Sequence, residues 1–550
     1  MKRTLLLLST LLLFCFALPV YADGPYYVDN TASGSNNGSS WANAWQAFSS
    51  INWATVAAGT NRTVYISGGI TSKTYLEKLS PNSSGSEGNP ITIRPGSASP
   101  SPTGHSGVVT ITSPTGGGIA LEMGSYITID GEYNRTQNIR ITGCGGTGGH
   151  GLVIGGASHN NTATYLEIDH NGVVQDQHGV SINFNSSNTY TPKVEISHCK
   201  VHDNYQDGFH YYAGNTLNDY DQVLIHDNEI YNAYDDFMEG GGNGISIYNN
   251  VLHTCLGYRL TDHPDGIVAG GKYTKIYNNY LYDMISPAAG NFNASMFLCS
   301  NTGIPNSIYT GLRVYNNLLI DTAPWRANEA RGGLQLTLKC YDSGSWASVS
   351  DIIIANNTIV GFLTNALYIN PGSISGKSNP TVSNVYVVNN SVYNSGRGPG
   401  LAVALGYDNS GSWTIGSWGS GADIIFDNNN INAGPEGLDT IQLKEINHTC
   451  ATFDHGNVNG NCNAPMFNAD YYPTYKDIAL KDNGIDIVSL IAPIFNIDKT
   501  GTSRPSGLWD IGAYEYSGGN NTSMIGVYNT KGMSGYYNAN GMGMIGNVSN

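Results

Sequence analysis

The chain has 550 residues, only 12% of them charged, and a formal net charge of -16 at pH 7. That balance argues against nucleic acid or an anionic membrane surface as a partner. With 69 Gly and 36 Tyr among so few charges, a helical protein is excluded in favour of a β-rich chain with many turns.

Residues 1–22 read as an export signal. Lys2 and Arg3 form the basic end, Leu5 to Val20 the apolar run, and Val20-Tyr21-Ala22 the cleavage site. The run is short for a membrane span and no second one follows it. The expected location is outside the cytoplasm, extracellular or periplasmic, with cell-surface association included. Residues 23–69 read as an N-terminal cap. Trp41, Trp45, Phe48 and Ile51 recur at helical spacing and predict a short amphipathic helix over the open end of a repeat fold.

From residue 70 to 432 short β-branched runs alternate with Gly-rich turns: ITI (91–93), ITID (127–130), IRIT (139–142) and YLEID (165–169). An Asn follows many of these strands, at 171, 228, 250, 279, 317, 357, 390 and 429, with Cys199 in the slot once. This predicts a single ladder of stacked amides at one corner of a solenoid. A second marker is stricter. His178, Asp207, Asp236 and Asp265 are spaced 29 residues apart, each opening a similar phrase. A constant period of this size denotes stacked coils. Equivalent side chains then lie about 4.8 Å apart. Three carboxylates in one column cannot all stay ionised and unpaired; they need a cation or raised pKa values.

Calcium binds several carboxylate oxygens converging from different segments. Asp207 on one coil with Asp235, Asp236 and Glu239 on the next supplies that set. Tyr205, His210, Tyr211, Tyr212 and Tyr234 lie beside the column, and their rings are candidates to contact sugar. Among the cysteines, Cys450 and Cys462 are expected to bridge a local loop, Cys299 and Cys340 to pair between coils, and Cys144, Cys199 and Cys255 to be buried thiols. Residues 433–516 break the rhythm and read as a C-terminal cap, in which Arg504 and Asp510 form a structural pair. Residues 517–550, rich in Gly, Asn and Met, read as a loosely attached tail.

The phrases YYVDNTASGSNNGSSWANAWQAF, GSEGNPITIRPG and RPSGLWDIGAYEY resemble those of bacterial secreted right-handed parallel β-helix proteins, over residues 24 to 516. The resemblance implies an all-β, right-handed parallel β-helix. Within that group, Gln206-Asp207-Gly208-Phe209 and Asp235-Asp236-Phe237-Met238-Glu239 are similar to the calcium-site phrases of family-nine pectate lyases. In the phrase that carries that family's catalytic Lys, Val268 stands in the Lys position. His263, Lys272 and Arg259 are the candidates to replace it, with Asp265 tuning them. The implied function is a monomeric, calcium-dependent polysaccharide lyase that cleaves a uronate-containing, acidic polymer by β-elimination. Two alternatives stand beside it. The order Asp207, Asp235-Asp236, His263 is similar to polygalacturonases, which implies a glycoside hydrolase. Asp-Gly is also a common turn pair, which allows a non-catalytic glycan-binding or structural surface protein.

Overall fold

The computed structural model describes residues 24–174, 176–184, 192–214, 219–255, 264–284, 292–299, 308–321, 330–337, 348–370, 381–396, 401–406, 413–434, 440–443, 446–453, 457, 460–474, 476–488 and 496–516. The export signal, the tail, Arg259, His263 and Cys340 lie outside these residues.

One coil shows the plan. Val223–His226 lies in sheet A, Glu229–Ala233 in sheet B and Met238–Gly241 in sheet C; Ile245–Tyr248 then returns to sheet A beside the first strand. Repetition stacks fourteen strands in sheet A and twelve each in B and C. Neighbours within these three sheets run parallel, save for Thr440–Leu443 against Ile446–Thr449; Glu132–Tyr133 and Thr136–Gln137 form a small antiparallel pair apart from them. The result is an all-β, right-handed parallel β-helix, the hand that strand twist imposes on parallel crossovers. Strands alternate as the sequence does. In Ile139–Thr142 both Ile residues are buried, and they stack on Leu166 and Ile168 of the next coil. Each such side chain contributes about 1.5–3 kcal/mol on burial, so the core is a column of aliphatic layers running the length of the solenoid.

The N-terminal cap departs from the helical reading of Trp41 to Ile51. The helix is Trp53–Ala58, started by Asn52, whose side chain accepts from the Thr55 amide. Trp45 instead pairs its backbone with Tyr27 and Asp29 and stacks on Tyr26. Its polar backbone thus covers an open strand edge, and the edge's unpaired groups outweigh local helix formation.

The amide ladder is real but double. At the A-to-B corner the Cys199 amide donates to Asn228 Oδ1, and the series continues through Asn250, Asn279, Asn317, Asn357, Asn390 and Asn429 at 2.9–3.1 Å. Asn171 belongs to the B-to-C corner instead, between Cys144 and Asn204. The residue before each Asn of the longer ladder often has a positive φ, for example Asn316, Asn356, Asn389 and Asn428 at 52–58°. Those outer Asn side chains grip the C-terminal segment: Asn428 donates to Asn483 O, Asn389 to Ile485 O, Asn356 to Asp510 O and Asn316 to Ile497 O. The C-terminal segment therefore runs back along the flank of the solenoid to Asn316 at Ile497, then returns past Asn356 at Asp510. Arg504 is buried there, but its carboxylate partner is Glu515 at 2.9 Å; Asp510 offers only its backbone carbonyl.

The Cys450–Cys462 disulfide is present, and Cys144, Cys199 and Cys255 are buried. Among the described residues no helix is long and apolar enough to cross a membrane.

Candidate functional site

The 29-residue column occupies the corner where sheet B turns into sheet C. Gly179 N donates to Asp207 O, Gly208 N to Asp236 O, and Phe237 N to Asp265 O, so the four repeat positions are stacked coil on coil. The column extends one coil earlier, to His150, and one later, to Ala294. Gly208 follows Asp207 because a Cβ there would come within 2.7 Å of Phe237 O.

Three members of the column cap the next coil. His150 Nδ1 accepts from the His178 amide at 3.1 Å, Asp236 Oδ1 from the Asp265 amide at 2.6 Å, and Asp265 Oδ1 from the Ala294 amide at 2.6 Å. Asp207 departs from the series. It is fully buried, yet neither carboxylate oxygen has a hydrogen-bond partner, and the same holds for Nδ1 of His178 and of His210. Those nitrogens stand 2.9 and 3.4 Å from Asp207 Oδ2, close but outside hydrogen-bond geometry. The imidazoles are layered, His150 on His178 at 5.4 Å and His178 on His210 at 4.4 Å between ring centres.

On the outer face of sheet C, Ser181, His210, Glu239 and Val268 form one register row. His210 and Glu239 are 41% and 42% exposed, with Nδ1 and Oε2 3.7 Å apart. They link the buried Asp207 to solvent.

The electrostatics follow from burial and neighbours. Burial, the largest influence, pushes the Asp207 carboxyl up, but the His178 and His210 imidazoles outweigh it and hold the group below the usual range. Asp236 is raised well above that range by burial and by the charges of Asp265, Asp207, Asp235 and Glu239. Burial lowers His210, yet Asp207 and Glu239 together carry it to about 9. His150 is pushed down to about 4 by burial and by the two imidazoles stacked above it.

Two donor groups emerge, each with its ligand atoms within 4.8 Å of one another: His178, Asp207 and His210, and Asp207, Asp236 and Glu239. The second contains three of the four residues expected to hold calcium; Asp235 is not part of it. The unpartnered Asp207 carboxylate fits a cation site, since a buried charge without hydrogen bonds is otherwise costly.

Other expectations are placed differently. Tyr211 is 1% exposed and points into the core, its hydroxyl donating to Val268 O at 2.7 Å. A ring enclosed by the core cannot stack on sugar. It fits because Gly240 lies beside it in the next coil, where a Cβ would clash with Tyr211 O and the ring. Tyr205, 38% exposed, and the half-buried Tyr212 and Tyr234 stay near the surface. Asp265 is buried, with Oδ1 engaged by the Ala294 amide as a corner cap. Lys272 follows the strand Ile267–Gly270, while the corner precedes it. At about 3.3 Å per residue, that strand separates Lys272 from the acidic column. His178 was expected in the column but not among the site residues, and His150 was read as a turn or packing residue; each precedes a Gly, as Asp207 does, and that was the available signal.

Two further clusters fail on geometry. Asp169, near Glu167 and His202, is already neutralised by Arg140, whose Nε donates to Oδ1 at 2.7 Å. Ser67 and Asp29 both approach Nδ1 of His105, at 2.9 and 3.3 Å, whereas a nucleophilic triad uses opposite ring nitrogens.

No family profile matches the chain, and no curated protein matches it. Among solved structures, the chain is similar to the pectate lyase Pel9A at 16% identity, covering 89% of this chain and 96% of that one, with a TM-score of 0.40. It is similar to the PL6 family alginate lyase AlyGC at 12% identity, covering 75% of this chain and 52% of that one, with a TM-score of 0.44. A GH136 lacto-N-biosidase from Eubacterium ramulus matches at 13% identity, covering 63% and 64%, with a TM-score of 0.34.

Proposed function

We propose that the protein is a secreted, carbohydrate-active enzyme, a polysaccharide lyase that cleaves a uronate-containing polymer by cation-assisted β-elimination. The observation that carries this reading is the buried, unpartnered Asp207 carboxylate beneath the exposed His210–Glu239 pair. A long flat face of parallel strands suits an extended polymer, and sheet C stacks twelve of them.

Calcium would draw on the oxygens of Asp207, Asp236 and Glu239. When bound, a divalent cation neutralises the uronate carboxylate and acidifies the adjacent C–H. Asp207 supplies the fixed negative charge, and the imidazoles beside it hold that charge in place without closing the carboxylate in hydrogen bonds. His210 and Glu239 meet the substrate at the surface, with Tyr205, Tyr212 and Tyr234 offering ring contacts along the polymer. The proton acceptor remains among His263, Arg259 and Lys272; of these, Lys272 would serve only a sugar bound further along the coil. Hydrolysis by an Asp pair is the weaker reading, because Asp236 is 5% exposed and already engaged by the Asp265 amide.

The test is incubation of the mature protein with a panel of uronate polymers, following ultraviolet absorbance of unsaturated ends and release of reducing sugar together. Absorbance that requires a divalent cation and disappears in Asp207→Asn supports the lyase. Reducing ends without absorbance would replace it with a hydrolase, and polymer retention without product would replace it with a binding protein.

A further inference from the structure

We propose that His178, Asp207 and His210 bind a divalent transition-metal ion of the zinc or manganese class, in preference to calcium. This rests on the reading that a cation serves the corner, and it names the ion.

The donor atoms decide it. Calcium takes oxygen ligands in numbers of six to eight. Imidazole nitrogens select zinc and its first-row neighbours. At this corner the atoms without hydrogen-bond partners are two imidazole nitrogens and both oxygens of Asp207. They come from successive coils, and the nitrogens lie 2.9 and 3.4 Å from Asp207 Oδ2. Those separations match the edges of a small coordination polyhedron with bonds of about 2.0–2.2 Å. Glu239 Oε2 lies 3.7 Å from His210 Nδ1 but groups with Asp207 and Asp236, so the mutually close set is two nitrogens and one carboxylate.

The alternative, a plain ion pair, leaves the same atoms poorly served. An imidazolium beside a buried carboxylate aligns its N–H with an oxygen, and neither ring does so. Asp236 and Asp265 each accept an amide from the next coil with one carboxylate oxygen. Asp207 forgoes that bond. His150 supports the arrangement from below. Its Nδ1 is occupied by the His178 amide, and its ring packs flat against that of His178. Second-sphere contacts of this kind orient a ligand ring.

The experiment uses the untagged mature chain, stripped with chelator and dialysed. Calorimetric titration with Zn²⁺, Mn²⁺ and Ca²⁺ is expected to show one site that prefers Zn²⁺ or Mn²⁺ to Ca²⁺ by at least about a hundredfold. Co²⁺ is expected to give visible absorption bands indicating nitrogen ligation. His178→Gln and, independently, His210→Gln should each weaken that site at least tenfold, with the circular dichroism of the parent. His210 is exposed, so its variant keeps the test valid if His178→Gln misfolds. Tight Ca²⁺ binding unaffected by either substitution would overturn the proposal, as would Zn²⁺ binding that persists in both variants. Metal binding as expected, without unsaturated product from any polymer, would keep the site and remove the lyase. Elimination supported by Ca²⁺ alone would do the reverse.

Discussion

Nδ1 of His178 stands 2.9 Å from Oδ2 of Asp207 across one coil step, with the two side chains 5% and 0% exposed. Burying the Asp207 carboxylate here is weak evidence of stability, because desolvation offsets what its neighbours return. It stands at a corner where the neighbouring acids Asp236 and Asp265 cap backbone amides.

Asp207→Asn preserves the volume and removes the charge. We expect elimination to fall by at least about a hundredfold, the scale on which site electrostatics act, with the far-ultraviolet circular dichroism retained. Assays on the responsive polymer, at matched protein folding, check it. Full activity in this variant would remove Asp207 from the site.

Asp265 is expected to behave as a cap. Asp265→Asn keeps an acceptor oxygen for the Ala294 amide and should leave stability almost unchanged. Asp265→Ala orphans that buried N–H and should cost about 1–3 kcal/mol. Urea titration of both variants separates the outcomes; equal destabilisation would show that the charge, not the hydrogen bond, matters at this coil.

Gly240→Ala places a Cβ 1.9 Å from the backbone oxygen of Tyr211. Because the nearest atom is backbone, shrinking the side chain in Tyr211→Leu should not rescue it. A loss of about 1–3 kcal/mol or more is expected from overpacking, read as a lowered melting temperature in both the single and the double variant.

His226 provides a pH dependence away from the site. Burial lowers its pKa, but Asp227 at 2.7 Å and Glu195 at 3.3 Å outweigh burial and bring it to about 9. A folded-state pKa above the unfolded value of about 6.5 means protonation favours the fold. The contribution is complete below about pH 6.5 and is lost as pH rises through about 9. His226→Gln should flatten the stability profile across that window. An unchanged alkaline slope would place the effect elsewhere.

The repeat itself was legible without coordinates. Four residues at one spacing, and Asn after strand after strand, announce a solenoid because each coil must present the same corner to the next. The disulfide between Cys450 and Cys462 was legible too, being local. What the linear pattern concealed was which corner a residue occupies. Asn171 and Asn228 follow their strands in the same way, yet one turns from sheet B to sheet C and the other from A to B. Tyr211 and Tyr212 are adjacent in sequence, and strand alternation sends one into the core and the other outward. Asp207, Asp236 and Asp265 are likewise equal in the sequence. Only packing makes them unequal: two meet a backbone amide of the next coil, and the third meets two imidazoles, His178 from the preceding coil and His210 from its own. Periodicity determines the coil because it is set by backbone geometry common to every repeat. The chemistry of a corner depends on which side chains from other coils lie within a few ångströms, and that the tertiary structure alone decided.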